Sequence, residues 1–177
     1  YEMQSCDWSS DVCSSDLPGG PVISRLAAEG NPKAIKFPRA MLHSGDLRFS
    51  LSGLKTSVIT YIQKQRAAGG RLDLPDIAAS FQAAVVDVQV AKARTALKQT
   101  GAREFCLGGG VAANSALRAA YEKMCVDEGV SLTMPPMSAC ADNAAMIALV
   151  ALDRYRAGKF SDLGADAFAH ANLEESY

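Results

Sequence analysis

The apolar positions of this 177-residue chain fall into stretches of helical spacing separated by glycine and proline. Ile77, Phe81, Val85 and Val88 recur at i, i+4, i+8 and i+11, which is one face of a helix over 75–99. Pro75 suits its first turn, where the missing N–H costs nothing, and Gly101 suits the position just past its end. A shorter helix over 22–29 is closed by Gly30 and Pro32, and another over 54–67 is broken by Gly69 and Gly70. Pro18-Gly-Gly-Pro21 reads as a rigid turn. Residues 33–46 read as a loop, and Leu47-Arg-Phe-Ser-Leu51 alternates as a half-buried strand does.

The pattern then changes. A short apolar run over 104–107 leads into Gly108-Gly-Gly110, a helix over 112–128 stopped by Gly129, and a second run over 130–134. Two strands joined by a helix form a βαβ unit over 104–134, so the fold class is α/β with a parallel sheet. Pro135-Pro136 ends it, and a last helix covers 142–157. There is no internal repeat.

The first seventeen residues stand apart. They contain four acids, no Lys or Arg, the only Trp and two of the five Cys, and no apolar period runs through them. The stretch from Asp7 to Leu17 resembles the in-frame translation of a short-read sequencing adapter. Residues 1–17 are therefore read as an artefactual, disordered leader and 18–177 as the protein domain. The formal net charge of the whole is −1, but residues 18–177 carry 18 basic against 15 acidic side chains. Between Gly30 and Leu72 lie eight bases (Lys33, Lys36, Arg39, Arg48, Lys55, Lys64, Arg66 and Arg71) against Asp46 alone. That excess suits a phosphate-rich partner or a plain solvated surface. No apolar run approaches the roughly 18 residues of a membrane span. The odd cysteines without C-x-x-C spacing fit a reducing, cytoplasmic compartment better than a secreted disulfide frame.

The glycine turn is the strongest chemical signal. Glycines between a strand and a helix let a ligand approach the backbone, and the helix start offers unpaired N–H groups, so the pattern suits a phosphate. Asn114 falls in the first turn of that helix, placed either to reach a ligand or to cap the helix. Gly108-x-Gly110-x-x-Ala113 also satisfies the dinucleotide fingerprint, which keeps an NAD(P)-dependent oxidoreductase as an alternative. The acid expected at the end of the second strand is missing, because that strand ends Leu132-Thr133-Met134. A Walker A loop is excluded, since no Gly-Lys-Ser/Thr follows. Asp142, ahead of the last helix, can cap it or ligate a metal. His43 and His170 are far apart and read as surface residues.

Five motifs in order complete the picture: Pro18-Gly-Gly-Pro21, Phe49-Ser-Leu-Ser-Gly-Leu-Lys-Thr56, Asp76-Ile-Ala-Ala-Ser-Phe-Gln82, Gly109-Gly-Val-Ala-Ala-Asn114 and Cys140-Ala-Asp-Asn-Ala-Ala-Met146. Together they resemble the C-terminal part of the tRNA N6-adenosine threonylcarbamoyltransferase family, of Kae type. The resemblance implies an actin-like ATPase (ASKHA, ribonuclease H-like) fold, here its C-terminal lobe, truncated at the N-terminus. It implies transfer of a threonylcarbamoyl group from threonylcarbamoyl-AMP to N6 of adenosine 37 in tRNAs reading ANN codons. Carried over by motif, Gly20 and Asn114 contact the adenylate or ATP, Gly109 and Gly110 approach its phosphate, and Asp142 ligates one divalent metal, iron or zinc. No catalytic residue is assigned.

The implied partners are tRNA, an inactive paralogous subunit and a P-loop ATPase, with no membrane. The family's H-x-x-x-H metal pair, and an Asp that contacts the donor ribose, are expected upstream, so the isolated chain is expected to be inactive. Where the family usually has Thr-Asp-Asn-Gly, this chain has Ala141-Asp142-Asn143-Ala144. A non-catalytic RNA-binding α/β module is a further alternative.

Overall fold

The computed structural model describes residues 19–164 and Asp166. The acidic leader, Pro18, Cys6, Cys13 and His170 lie outside the described residues. The chain divides after Cys140 into two units.

The first unit is built on one long helix. Helix α1 (Gly19–Glu29) is followed by a loop, α2 (Ser52–Ala67) and α3 (Leu74–Thr100). With 27 residues, α3 is about 40 Å long. Its ends follow local chemistry. The Asp73 carboxylate accepts from the Asp76 N–H, Pro75 sits in the first turn, and Gly101 closes the helix at φ 65°.

Three apolar clusters meet along α3. Leu54, Val58 and Ile62 of α2 pack with Phe37 against Ile77 and Ala84. Ala27 of α1 packs on Ala78 and Ala79, and such small residues let the two helices come close. At the other end, Leu97 meets Leu117, Tyr121, Met124 and Cys125 of α4 (Ser115–Glu128). Helix α4 in turn covers strands β1 (Glu104–Cys106) and β2 (Ser131–Thr133). The strands pair in parallel, Phe105 opposite Leu132. The βαβ unit is therefore as the sequence implies, and among the described residues it is the whole sheet.

Polar groups pin the 30–48 loop to α3. The buried Ser80 hydroxyl donates to the Asn31 carbonyl and accepts from the Ile35 N–H. Lys92, only 3% exposed, donates through Nζ to Ser44 Oγ and to the Asp46 carbonyl. Hydrogen bonds from the Ser44 hydroxyl and the Arg48 guanidinium hold the Asp46 carboxyl well below the usual carboxylate range.

Four expectations are corrected. Gly19, Gly20 and Pro21 form the first turn of α1, not a separate turn, because a helix start tolerates Pro where N–H groups have no intrahelical acceptor anyway. Leu47–Leu51 is not a strand. Among the described residues no neighbouring strand completes a ladder there, and Leu47, Phe49 and Leu51 are exposed. The helix after the glycine turn starts at Ser115 and not at 112, since Gly110–Ala113 first makes a 3₁₀ turn. The last helix starts at Ala144.

The second unit holds that helix, α5 (Ala144–Arg156). Asn143 caps it, its side-chain oxygen accepting from the Met146 N–H at 3.2 Å. Asp142 therefore does not cap. Although α5 is apolar in sequence, it carries no buried residue.

Candidate functional site

Three elements of the first unit enclose a cavity of about 560 Å³. Helix α1 contributes Gly20 and Ser24, α3 contributes Phe81 and Gln82, and the segment after β1 contributes Gly110 and Asn114. The remaining walls are largely apolar, including Ile23, Val85, Val111 and Leu117. Residues some ninety positions apart in sequence thus share one concave surface, the usual form of a small-molecule site.

The glycine turn borders this cavity and its glycines are not there for packing. A Cβ built at Gly108, Gly109 or Gly110 meets nothing within 4 Å among the described residues. Gly109 has a conformational reason as well: φ 83° and ψ 171° lie in a region essentially confined to glycine. Backbone is therefore bare on the open side of the turn, which is where a ligand oxygen can approach it.

Asn114 is the N-cap of α4, one position before the first turn expected for it. Its Oδ1 accepts from the Leu117 N–H at 2.9 Å. Its Nδ2 donates to Gln82 Oε1 at 2.8 Å and to Ser24 Oγ at 3.2 Å. One side chain ties α1, α3 and α4 together at the cavity wall.

Arg118, one turn further along α4, holds the turn from behind. Its guanidinium donates to the Ala112 carbonyl and to the Pro135 carbonyl, each at 3.0 Å. Burial pushes the Cys125 thiol up in the α4 core.

Gly20, Gly110 and Asn114 line the same cavity, and Gly109 turns the chain just before Gly110. Asp142 belongs to the second unit, where it is exposed. Among the described residues no group of three or more His, Cys, Asp or Glu side chains could hold a metal ion. A catalytic zinc-type site takes about three protein ligands, so the described residues do not by themselves fit a bound metal. Another cavity, of about 620 Å³ between α3 and α4, holds none of the expected residues; Arg94 and Lys98 on its wall pair with Glu128, and Arg94 also with Asp127.

Sequence reasoning missed Ser24, Gln82 and Arg118 as contributors. Gln82 ends a recognised motif, yet nothing in the spacing shows that it meets a residue 32 positions away. The dinucleotide alternative loses its geometry, because the fingerprint requires a helix opening at the glycines and here a 3₁₀ turn intervenes.

Comparison with known proteins points one way. The model of the family described as tRNA N6-adenosine threonylcarbamoyltransferase matches residues 4–149. Curated proteins of that name are similar: one from Trichlorobacter lovleyi is 45% identical over 173 residues, covering 97% of this chain and 50% of the relative. One from Bordetella petrii is 46% identical over 157 residues, 88% of this chain and 45% of the relative. One from Clostridioides difficile is 42% identical over 172 residues, 97% of this chain and 51% of the relative. The chain spans about half the length of the curated relatives it matches.

Proposed function

The chain belongs to the tRNA N6-adenosine threonylcarbamoyltransferase family, and we propose that it holds the donor nucleotide in that family's reaction. The reaction moves a threonylcarbamoyl group from threonylcarbamoyl-AMP to N6 of adenosine 37 in tRNAs reading ANN codons. The N6 amine attacks the carbonyl carbon of the mixed anhydride. A C–N bond forms, the C–O bond to phosphate breaks, AMP leaves with the electron pair, and the amine proton passes to solvent.

The observation that carries this reading is the shared cavity, with Gly20, Gly110 and Asn114 on its wall and bare backbone beside it. Apolar walls suit the flat base and sugar of an adenylate. The N–H groups of the glycine turn suit its phosphate and the charge that develops there as AMP departs. Holding the donor while the acceptor base is brought up lowers the barrier by orientation. Asp142 would supply one carboxylate to a divalent metal completed by ligands beyond the described residues, and no step is assigned to that metal.

The acceptor tRNA finds its charge complement on α2 and the loop packed against it. Helix α2 has Lys55, Lys64 and Arg66 and no acid, and among the described residues no carboxylate pairs with Lys33, Lys36, Lys55, Lys64 or Arg71. An inactive paralogous subunit and a P-loop ATPase are the proposed protein partners, and the cytoplasm is the proposed location. No helix of the described residues is long and apolar enough to cross a membrane.

Thermal unfolding with added nucleotide tests the cavity. A ligand that binds only the folded state at 100 times its Kd adds about 2.7 kcal/mol. ATP and AMP are expected to raise Tm, and NAD and NADP are not. Protection by NAD alone would replace the transferase reading with the oxidoreductase one.

A further inference from the structure

We infer that Arg118 is the positioning residue for the phosphate of the nucleotide in this cavity, an inference that rests on the nucleotide reading above. The grounds lie where the small sheet ends. Its ladder closes with the Leu107 N–H donating to the Thr133 carbonyl at 3.0 Å. Beyond that bond the chain continues after β1 as the glycine turn and after β2 as the segment over 134–140. Both segments reach the cavity, the first with Gly110, Val111 and Ala113 on its wall, the second with Met137. Past the ladder, the hydrogen bonds that join the two segments among the described residues run through one side chain. Arg118 donates through Nη1 to the Ala112 carbonyl and through Nη2 to the Pro135 carbonyl, each at 3.0 Å. Nη1 also meets the Cys140 thiol at 3.8 Å.

The chemistry of this donor suits the task. Two nitrogens of one planar guanidinium stand at a fixed separation, so two carbonyls bound to them are fixed relative to each other. A lysine ammonium is a compact point charge and imposes no such spacing. No carboxylate pairs with Arg118 among the described residues, and its three contacts all lie at this joint. What the joint positions is backbone. A Cβ at Gly108, Gly109 or Gly110 would meet nothing within 4 Å, whereas Ala112, two residues past Gly110, is fully buried and forms the anchored end of the turn. Backbone N–H groups hold a phosphate only where they converge on its oxygens, so a small displacement of the turn costs affinity for that group. The α1 and α3 walls, Ser24, Phe81 and Gln82 among them, receive no hydrogen bond from Arg118 and remain as they are for the base and sugar.

The test is calorimetric titration of the 177-residue chain with AMP and with adenosine, which differ by the phosphate alone. Two variants accompany it. Arg118→Lys keeps the charge and loses the fork, and Arg118→Met loses both while keeping an apolar stem. Both are expected to bind AMP roughly tenfold more weakly than the parent, the effect of one lost hydrogen bond of ordinary strength, and to bind adenosine as the parent does. A side chain that merely stabilised α4 would weaken the two ligands alike or neither of them. The role is overturned if either variant binds AMP as the parent does, or if AMP and adenosine weaken by the same factor. It is equally overturned if the parent binds adenosine as tightly as AMP, a measurement that needs no variant to fold. A parent chain that binds neither AMP nor adenosine overturns the cavity reading, and the role of Arg118 with it.

Discussion

Gly108 and Gly109 are neighbours with different obligations. Neither would crowd a Cβ, but only Gly109 sits at positive φ, with ψ 171°. A side chain there strains the backbone by about 1–3 kcal/mol. Chemical denaturation is expected to show that loss for Gly109→Ala and a change within about 0.5 kcal/mol for Gly108→Ala, as for an ordinary surface site. Equal effects of the two would mean that the turn does not hold this conformation. The sequence marked the three glycines together as a ligand turn. Which of them the backbone needs was not legible, because it depends on where the 3₁₀ turn begins. Asn114 was legible as a residue with two roles, and the structure assigns it the cap together with bridges to Ser24 and Gln82.

At the scale of elements, the joint between α1 and α3 decides whether the cavity exists, since α1 carries Gly20 and Ser24. The chain leaves α1 at Gly30, where a Cβ would overlap the Pro75 carbonyl. Backbone cannot yield as a flexible side chain would, so Gly30→Ala is expected to push the two helices apart. The loss of stability is about 1–3 kcal/mol, as for overpacking, and ATP protection should fall with it. Unfolding midpoints with and without ATP check both, and a variant as stable and as well protected as the parent would refute the joint. Helix positions were mostly legible, since capping and breaking residues act over one turn: Asp73 and Gly101 bound α3, and Gly129 ends α4. The alternation over Leu47–Leu51 misled because a strand needs a partner ladder, which local pattern cannot supply. The apolar sequence of α5 likewise signals burial, yet none of its residues is buried among those described.

For the molecule as a whole, charge is distributed more tellingly than its sum suggests. The loop bearing Lys33 and Lys36 packs beside α2 through Ile35 and Phe37, so folding brings bases spread over forty residues onto α2 and the loop beside it. Every phosphate that a base no longer neutralises lowers the salt dependence of nucleic-acid binding by about 0.7–0.9 in log–log slope. The triple variant Lys55→Gln, Lys64→Gln, Arg71→Gln is therefore expected to bind tRNA with a slope shallower by about 2, read from titrations at several salt concentrations. An unchanged slope would place the tRNA elsewhere.

The sequence by itself determined the family, the βαβ unit and the glycine turn between its first strand and its helix. Those are local or ordered features: strand, glycines, cap and helix follow one another along the chain, and motif order survives without any knowledge of packing. Only the tertiary structure decided that Gly20, Gln82 and Asn114 share one cavity, and that the Asn114 amide bridges to Ser24 and Gln82. The physical reason is that these meetings are set by how closely α1 and α4 settle onto α3, which small residues such as Ala27, Ala78 and Ala79 allow. Hydrogen-bond capacity is a property of each side chain, but which part of it remains for a ligand depends on neighbours brought together only by folding.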